Sequence, residues 1–466
     1  MKKSAFIFLL CLFFGVFSAQ SDSLTLNLEQ VLHIIRQNHP TVKQAEIGVE
    51  KADADILLAK AAFDPIIETY ISEKNFSGKE YYQTVRPSIT IPTWFGIEVS
   101  GGAQKLLGER LNNNETAGET SYIGVTIPLL KNLLMDKRRA VLKQSKLFKT
   151  VAKNEQKIAI NDVLLQASKQ FWKWVNAYQN LKIVTKNEAI SKDRFSFIKR
   201  SFLHGEKPAI DTVEAQSQYL DFQILKNEAD LKFINEGLEL SQFLWTENGS
   251  PYDLPENVIP QNGWQNEEIM KNFELELQPL LESAKRNHPE LEIYKQKLEI
   301  LDLEKRLKYQ DLLPKLDFTY NILNKGYQPF PSTNPFFQDN FQYALKFSMP
   351  LFLSKGRSSY SSAKLKIQET TLDQNQKAQS IEIKVRSYYN EFKNYQKQVA
   401  LQSNLLENYR KQLRAEETLF QNGESSLFLV NSRQNKVLDA ERKLTEIKTK
   451  YFASIYALQW SAGLLQ

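Results

Sequence analysis

Asn38-His39-Pro40 is read a second time as Asn287-His288-Pro289, and two further landmarks follow each copy in the same order. Ile127-Pro128-Leu129-Leu130 is echoed by Met349-Pro350-Leu351-Phe352, and Phe202-Leu203-His204-Gly205-Glu206 by Leu419-Phe420-Gln421-Asn422-Gly423-Glu424. Three ordered landmarks taken twice mean a tandem duplication of one unit, far longer than a solenoid repeat. The copies differ in one place. Asn38 lies 90 residues before Pro128 and Asn287 only 63 before Pro350, so the first copy carries 27 extra residues there. From Pro128 to Gly205 is 77 residues and from Pro350 to Gly423 is 73, as expected of a length-critical element.

Each Asn-His-Pro joins a short helical segment to a longer one. The periodicity predicts helices over about 26–37 and 42–62, then 277–286 and 291–312, with Pro65 and Pro314 as stops. Period-two segments come next. Phe341, Tyr343, Leu345, Phe347, Met349 and Leu351 alternate with Gln342, Ala344, Lys346, Ser348 and Pro350. Leu316, Phe318, Tyr320 and Ile322 alternate with Asp317, Thr319 and Asn321. Such a hairpin has one apolar and one polar face, at the length of a tilted membrane strand. In the first copy, strand-like stretches lie near 66–74, 83–91, 95–103 and 121–127, with a loop at Asn112-Asn113-Asn114 and Gly118. The 27 surplus residues amount to one more hairpin, either in the sheet or in loops on one side of it.

After each Pro landmark runs a helix of about 70 residues, 130–204 and 356–421, long enough to reach about 100 Å. Val385, Tyr388, Phe392, Tyr395 and Val399 recur in steps of three and four, Gln402 interrupts, and Leu406, Tyr409 and Leu413 resume. Leu164, Ala167, Phe171, Trp174, Tyr178 and Leu181 do likewise. Heptad spacing asks for a partner helix. Gly205 and Gly423 end these helices, and return helices follow over 208–245 and 426–464, so each half holds a long antiparallel helical hairpin. Residues 246–275, with three prolines and two glycines, read as a linker or irregular belt.

Residues 1–20 have the form of a secretory signal: Lys2 and Lys3, an apolar run from Ala5 to Phe17, then Ser18 and Ala19. Cys11 lies inside it without the preceding small residues of a lipoprotein signal. Beyond it there is no cysteine, hence no disulfide framework and no thiolate chemistry. The formal charge of +6 falls to +4 without the two lysines, which argues against a nucleic-acid partner. Later apolar stretches are too short for a membrane helix, so entry into a bilayer requires β-strands. The histidines His33, His39, His204 and His288 form no ligand cluster with metal spacing, and no phosphate-cradling loop exists. Neither a cofactor nor enzymatic chemistry is indicated.

One chain supplies four strands, or six if the surplus hairpin joins the sheet. Closed single-chain barrels begin at eight strands, and open edges cannot sit in lipid, so several copies must share a barrel. The ordered set of motifs, across essentially the whole mature chain, resembles the TolC-like outer membrane efflux proteins, the outer membrane factors of tripartite efflux or type I secretion systems. The resemblance implies a mainly α fold with a transmembrane β portion. Two tandem repeats, 21–245 and 276–466, would each give a β-hairpin to a shared trimeric, twelve-stranded β-barrel (strands within 66–128 and 316–351). Their helical hairpins (130–245 and 356–464) would form a periplasmic tunnel. It implies a homotrimer in outer membrane lipid, acting as a passive duct for a periplasmic membrane-fusion adaptor and, through it, an inner-membrane pump.

By position, the resemblance makes Phe202, Leu203, Gly205, Glu206, Phe420, Asn422, Gly423, Glu424 and Ser425 the adaptor-docking tip. Both glycines are in any case C-caps. Family members place a pair of aspartates just past the second glycine, where this chain has Leu429 and Ser432 beside Val430 and Arg433. Asp211 and Glu214 hold the matching offsets from Gly205. Either they form a cation-selective constriction, with Arg433 able to pair with one of them, or they are first-turn acids favoured by the helix dipole. A secreted coiled-coil structural or adhesive protein is the alternative, but it has no use for aromatic period-two strands.

Overall fold

The structure, a computed structural model, describes residues 24–109, 111–112, 115–255, 257–264, 275–327 and 340–465. The expected signal at 1–20, Asn113 and Asn114 of the expected loop, and residues 328–339 between the two strands of the second repeat lie outside the described residues. Helices α1 (Leu28–Asn38) and α2 (Pro40–Ala61) meet at the first Asn-His-Pro. His39 is the N-cap of α2, its Nδ1 accepting from Thr41 N–H, and Pro40 takes the first helical position. The second copy repeats this: α5 (Leu277–Asn287) and α6 (Pro289–Tyr309) are joined by His288, whose Nδ1 accepts from Glu290 N–H. The histidines are junction residues, as expected, and burial pushes both imidazoles below their ordinary pKa of 6.5.

The strands are β2 (Ile66–Phe76), β3 (Lys79–Pro92), β4 (Glu98–Leu107), β5 (Gly118–Pro128), β7 (Lys315–Lys325) and β8 (Phe341–Ser348). They form one antiparallel six-stranded sheet in the order β2-β3-β4-β5-β7-β8. The first repeat thus contributes two hairpins, not one, because its 27 surplus residues are built into the ladder. Gly101 and Gly102, within the stretch expected to be strand, lie inside β4; the Tyr122 ring covers Gly102 so closely that a Cβ there would come within 2.8 Å of it. Strand β8 ends at Ser348, short of the alternation's end, since Pro350 cannot donate to a ladder; Leu351 and Phe352 beyond it are 96% and 83% exposed.

The long helices are α3 (Lys137–Leu203), α4 (Ala209–Ser241), α7 (Ser354–Gln421) and α8 (Leu427–Ser461). At 67 and 68 residues, α3 and α7 each extend about 100 Å. Helix α3 starts seven residues later than the apolar pattern implied. Asp136 caps it by accepting from Arg139 N–H at 2.8 Å, and Asn132, at φ 71°, breaks the chain direction before it. Both heptad seams are buried: Leu164, Ala167, Phe171 and Trp174 on α3, and Val385, Phe392, Val399 and Leu406 on α7. Gln402, the polar interruption, donates to Ala440 O across the hairpin at 3.2 Å.

The largest core lies where the two hairpins and the short helices converge. Trp172 stacks on Phe452 at 4.8 Å, and Phe392 on Tyr451 at 5.3 Å. Part of the supposed linker joins it: Val258 is buried, and Trp264 packs edge-on to Trp172. Short strands β1 (Thr25–Leu26) and β6 (Ile259–Pro260) pair in parallel beside it. Proline and glycine spacing marked this segment as irregular but not as buried.

Candidate functional site: the helical tip and the two-faced sheet

Gly205 and Gly423 adopt φ of 73° and 79°. Around each the chain closes in the same way. Gly205 N–H donates to Phe202 O and Glu206 N–H to Ser201 O; Gly423 N–H donates to Phe420 O and Glu424 N–H to Leu419 O. These are Schellman closures, which require a left-handed residue after the helix. A Cβ at either glycine would meet nothing within 4 Å, so conformation, not space, selects glycine. Pro208 stands at the N-cap of α4, just outside the helix, and Ser426 caps α8 by accepting from Leu429 N–H.

The two turns expose much apolar surface. Leu203 is 73% exposed and Phe202 40%, and Phe428 (66%) and Leu429 (42%) add to it from the first turn of α8. Phe420 is turned inward against Ile198, Ala215 and Leu427, and Lys207 Nζ lies 4.3 Å above its ring. Gly205, Glu206, Asn422, Gly423 and Glu424 are exposed, whereas Ser425 is half-buried and donates to Glu416. Phe428 was missed by sequence reasoning, although its place just past a glycine turn is visible.

Asp211 and Glu214 are half-buried on the first turns of α4. Glu214 accepts from Asn431 Nδ2 at 3.2 Å, which ties the first hairpin to the second. Arg433 reaches neither acid. It pairs with Glu416 Oε2 at 3.5 Å and donates to Gln412 at 3.2 Å, both on α7. Glu416 stands on the antiparallel partner helix of the same hairpin and faces Arg433 across the Gly423 turn.

Sequence reasoning also missed Arg194. From α3 it donates to Asn431 Oδ1 (3.2 Å) and Gln434 Oε1 on α8, and pairs with Glu417 on α7 at 3.3 Å. Gln434 donates in turn to Asn187 Oδ1 at 3.2 Å. With Glu214, this polar knot engages all four long helices. Burial lowers the Arg194 pKa from its ordinary value, opposed by the Glu417 carboxylate.

At the other end the sheet has two faces. Paired residues across the ladders put Ile71, Ile89, Val99, Ile123, Phe318 and Leu345 on one face. Ser72, Ser88, Gln104, Thr126, Thr319 and Lys346 lie on the other. The apolar face includes Ile67, Ile71, Tyr343, Leu345 and Phe347, each more than half exposed. Exposed Trp94, Phe95, Leu134 and Phe352 cluster at the helix-proximal ends of the strands, where a water–lipid interface favours such side chains. No described helix is long and apolar enough to cross a membrane.

The sequence profile of the family described as outer membrane efflux protein matches residues 31–244 and 280–464, most of both repeats. No curated protein sequence matches the chain. Among solved structures it is similar to the CmeC outer membrane channel of Campylobacter jejuni, with 15% identity, TM-score 0.63, and 94% of this chain and 85% of that one covered. CusC aligns with 13% identity and TM-score 0.67 over 93% of this chain and 91% of that one. The outer membrane protein VceC of Vibrio cholerae aligns with 12% identity and TM-score 0.63 over 94% and 96%. At these identities the likeness is one of fold.

Proposed function

The chain belongs to the outer membrane efflux protein family, and we propose from that premise that three copies form the exit duct of a three-part export machine. The family places the chain in the outer membrane as a channel, with its helices in the periplasm. A periplasmic membrane-fusion adaptor would engage the tip, and an energised inner-membrane pump would deliver cargo through it.

The observation that carries the shared duct is a pair of unmatched edges. Near the tip the helices pack in the order α4–α3–α8–α7. Helix α4 therefore has a free side, and Ile210, Val213, Leu220, Ile224, Leu231 and Leu238 line it in steps of three, four and seven, all between 48% and 66% exposed. Helix α7 has the other free side, with Leu365, Leu372, Ile383 and Leu401 at 57–70% exposed. A heptad stripe in water asks for a partner helix. The two stripes lie on opposite flanks, so contact between copies is head-to-tail, the arrangement that closes into rings.

The adaptor reading is supported by the exposed apolar tip at Phe202, Leu203, Phe428 and Leu429, beside Glu206 and Glu424. Asp211 is the better placed of the two candidate constriction acids, because Glu214 is engaged with Asn431. Mass determination of the unboiled, detergent-extracted protein, with single-channel recording in a planar bilayer, tests the duct. A conducting trimer is expected; a monomer or fibre without conductance overturns the reading.

A further inference from the structure

We infer that the shared barrel has eighteen strands, six from each copy, so that the surplus hairpin of the first repeat is a lipid-facing part of the wall and the lumen is wide and water-filled. The inference rests on the trimeric duct reading and departs from the twelve strands that the family resemblance implies.

Three observations carry it. First, the six strands form one sheet, and β3–β4 pairing runs without a gap through its helix-proximal part, from Ser88↔Gly102 to Pro92↔Glu98, and resumes over Gln83–Val85 beyond Arg86 and Pro87. Second, the apolar face runs without interruption from one edge to the other. Ile67 and Ile71 on β2, and Val85, Ile89 and Ile91 on β3, stand on the same side as Phe318 on β7 and Leu345 on β8. A hairpin hanging outside the barrel would leave that face in water, and one folded into the lumen would place it in the channel. Third, the helix-proximal turn between β3 and β4 is bolted to the tunnel. Arg139 on α3 donates to Phe95 O at 3.3 Å, and Arg138 pairs with Glu98 at 2.7 Å.

The wall dimensions agree. Next to the sheet the helices stand in the order α2–α3–α6–α7, matching the order of the strands they feed. Four helices at about 9–10 Å spacing make about 36–40 Å of wall per copy. Six strands about 4.8 Å apart, tilted by about 40°, make about 38 Å. Four strands would make about 25 Å by the same spacing and tilt, a poorer match to the helical wall of this chain. Three copies of six strands give a backbone diameter of about 36 Å, in the porin range that leaves an aqueous channel. The inner surface is polar, with Glu68, Arg86, Gln104, Thr126, Asn321 and Lys346 on that face. Closure joins the free edge of β2 in one copy to that of β8 in the next, since open edges are not tolerated in lipid.

The absence of cysteine after Cys11 makes the test direct. Single-cysteine variants at Ile71, Ser72, Ser88, Ile89, Phe318 and Thr319 would be spin-labelled and reconstituted in phosphatidylcholine vesicles. Accessibility to oxygen and to a water-soluble nickel chelate is then measured. Oxygen-favoured labels at 71, 89 and 318, and nickel-favoured labels at 72, 88 and 319, are expected. Loss of alternation on β2 and β3 with alternation kept on β7 overturns the eighteen-stranded wall and leaves the duct standing. Loss of alternation at all three strands overturns the duct itself.

Discussion

Replacing Arg194 by methionine tests whether the polar knot near the tip holds the two hairpins of one chain together. Methionine fills the volume of the arginine stem but has no donor. Asn431 Oδ1 and Gln434 Oε1, on residues only 5% and 2% exposed, then lose their partner. A buried acceptor left unmade costs about 1–3 kcal/mol, so the two together cost about 2–6 kcal/mol. Relief from dehydrating a guanidinium returns part of this, and a net loss of about 3 kcal/mol is expected. The ion pair is a lesser contributor. The Glu417 side chain is 39% exposed, and a pair so open to solvent is worth less than about 1 kcal/mol. Arg194→Met therefore outranks Glu417→Gln. Amide hydrogen exchange of Ser201–Glu206 and Leu419–Glu424 reads the local opening. About 3 kcal/mol corresponds to exchange faster by about a hundredfold, against a few-fold for Glu417→Gln. Equal effects of the two variants would refute the ranking, and unchanged exchange in both would show that the knot does not hold the tip shut.

Three further outcomes are expected. Gly205→Pro and Gly423→Pro force φ near −65° where 73° and 79° are needed and remove a turn N–H; export should be lost while unboiled trimers persist on gels, and loss of trimers would mean the turns serve folding alone. Asp211→Ala combined with Glu214→Ala should shift the cation selectivity of single channels, and unchanged reversal potentials would remove these acids from the constriction. Burial lowers the His288 pKa, with Lys384 and Lys377 acting in the same direction and Glu290 against them, so the junction's stability is fully present above the ordinary value of 6.5 and is lost as pH falls through the lower folded value. Melting of the assembly should drop as pH falls below the ordinary value of 6.5, and His288→Asn, which keeps an N-cap acceptor, should flatten the drop.

The elements most legible in the sequence were those whose periodicity is set locally. Val385 to Leu413 declares a helix seam in steps of three and four, and Phe341 to Phe347 declares a strand in steps of two. Each needs only one buried face to be read. Gly205 and Gly423 were legible because only a left-handed residue ends a helix that way. What stayed hidden depends on partners distant in sequence. Arg194 looks like one more charge on a long helix until Asn431 and Gln434 arrive on another. Arg433 lies nearer its own hairpin partner than any repeat analogy suggests. Val258 and Trp264 sit among prolines and glycines, yet the apolar gap between hairpins takes them in. The surplus 27 residues could be counted, but whether they form wall or loop depends on a register across β3, β4 and β5 that no single strand encodes.

The duplication also gives the proposed trimer a reason to close, and not to aggregate, despite so much exposed apolar stripe. Inside one chain, the junction between repeats joins β5 to β7 in the sheet, α3 to α6 beside it and α3 to α8 near the tip. Each contact sets the last strand or long helix of the first repeat against the first strand, the helix before it or the return helix of the second. The proposed contact between copies has the same form: β8 against β2, α7 against α2, and α7 against α4. The inner junction is thus a template for the outer one, and six similar units would go round the axis with the polypeptide continuous across alternate junctions. The differences between repeats then fall where symmetry permits them. The first repeat is longer only in the sheet, between α2 and α3, so its extra hairpin widens the barrel without disturbing the helical register that the near-equal spacings from proline to glycine preserve. Ile47, Leu57 and Leu58 on α2 and the stripe on α4 are exposed in the single chain, and in the proposed ring the next copy would supply their covering helix. Closure of the proposed ring would cover these stripes, so the stability of the assembled trimer would depend on protomer concentration.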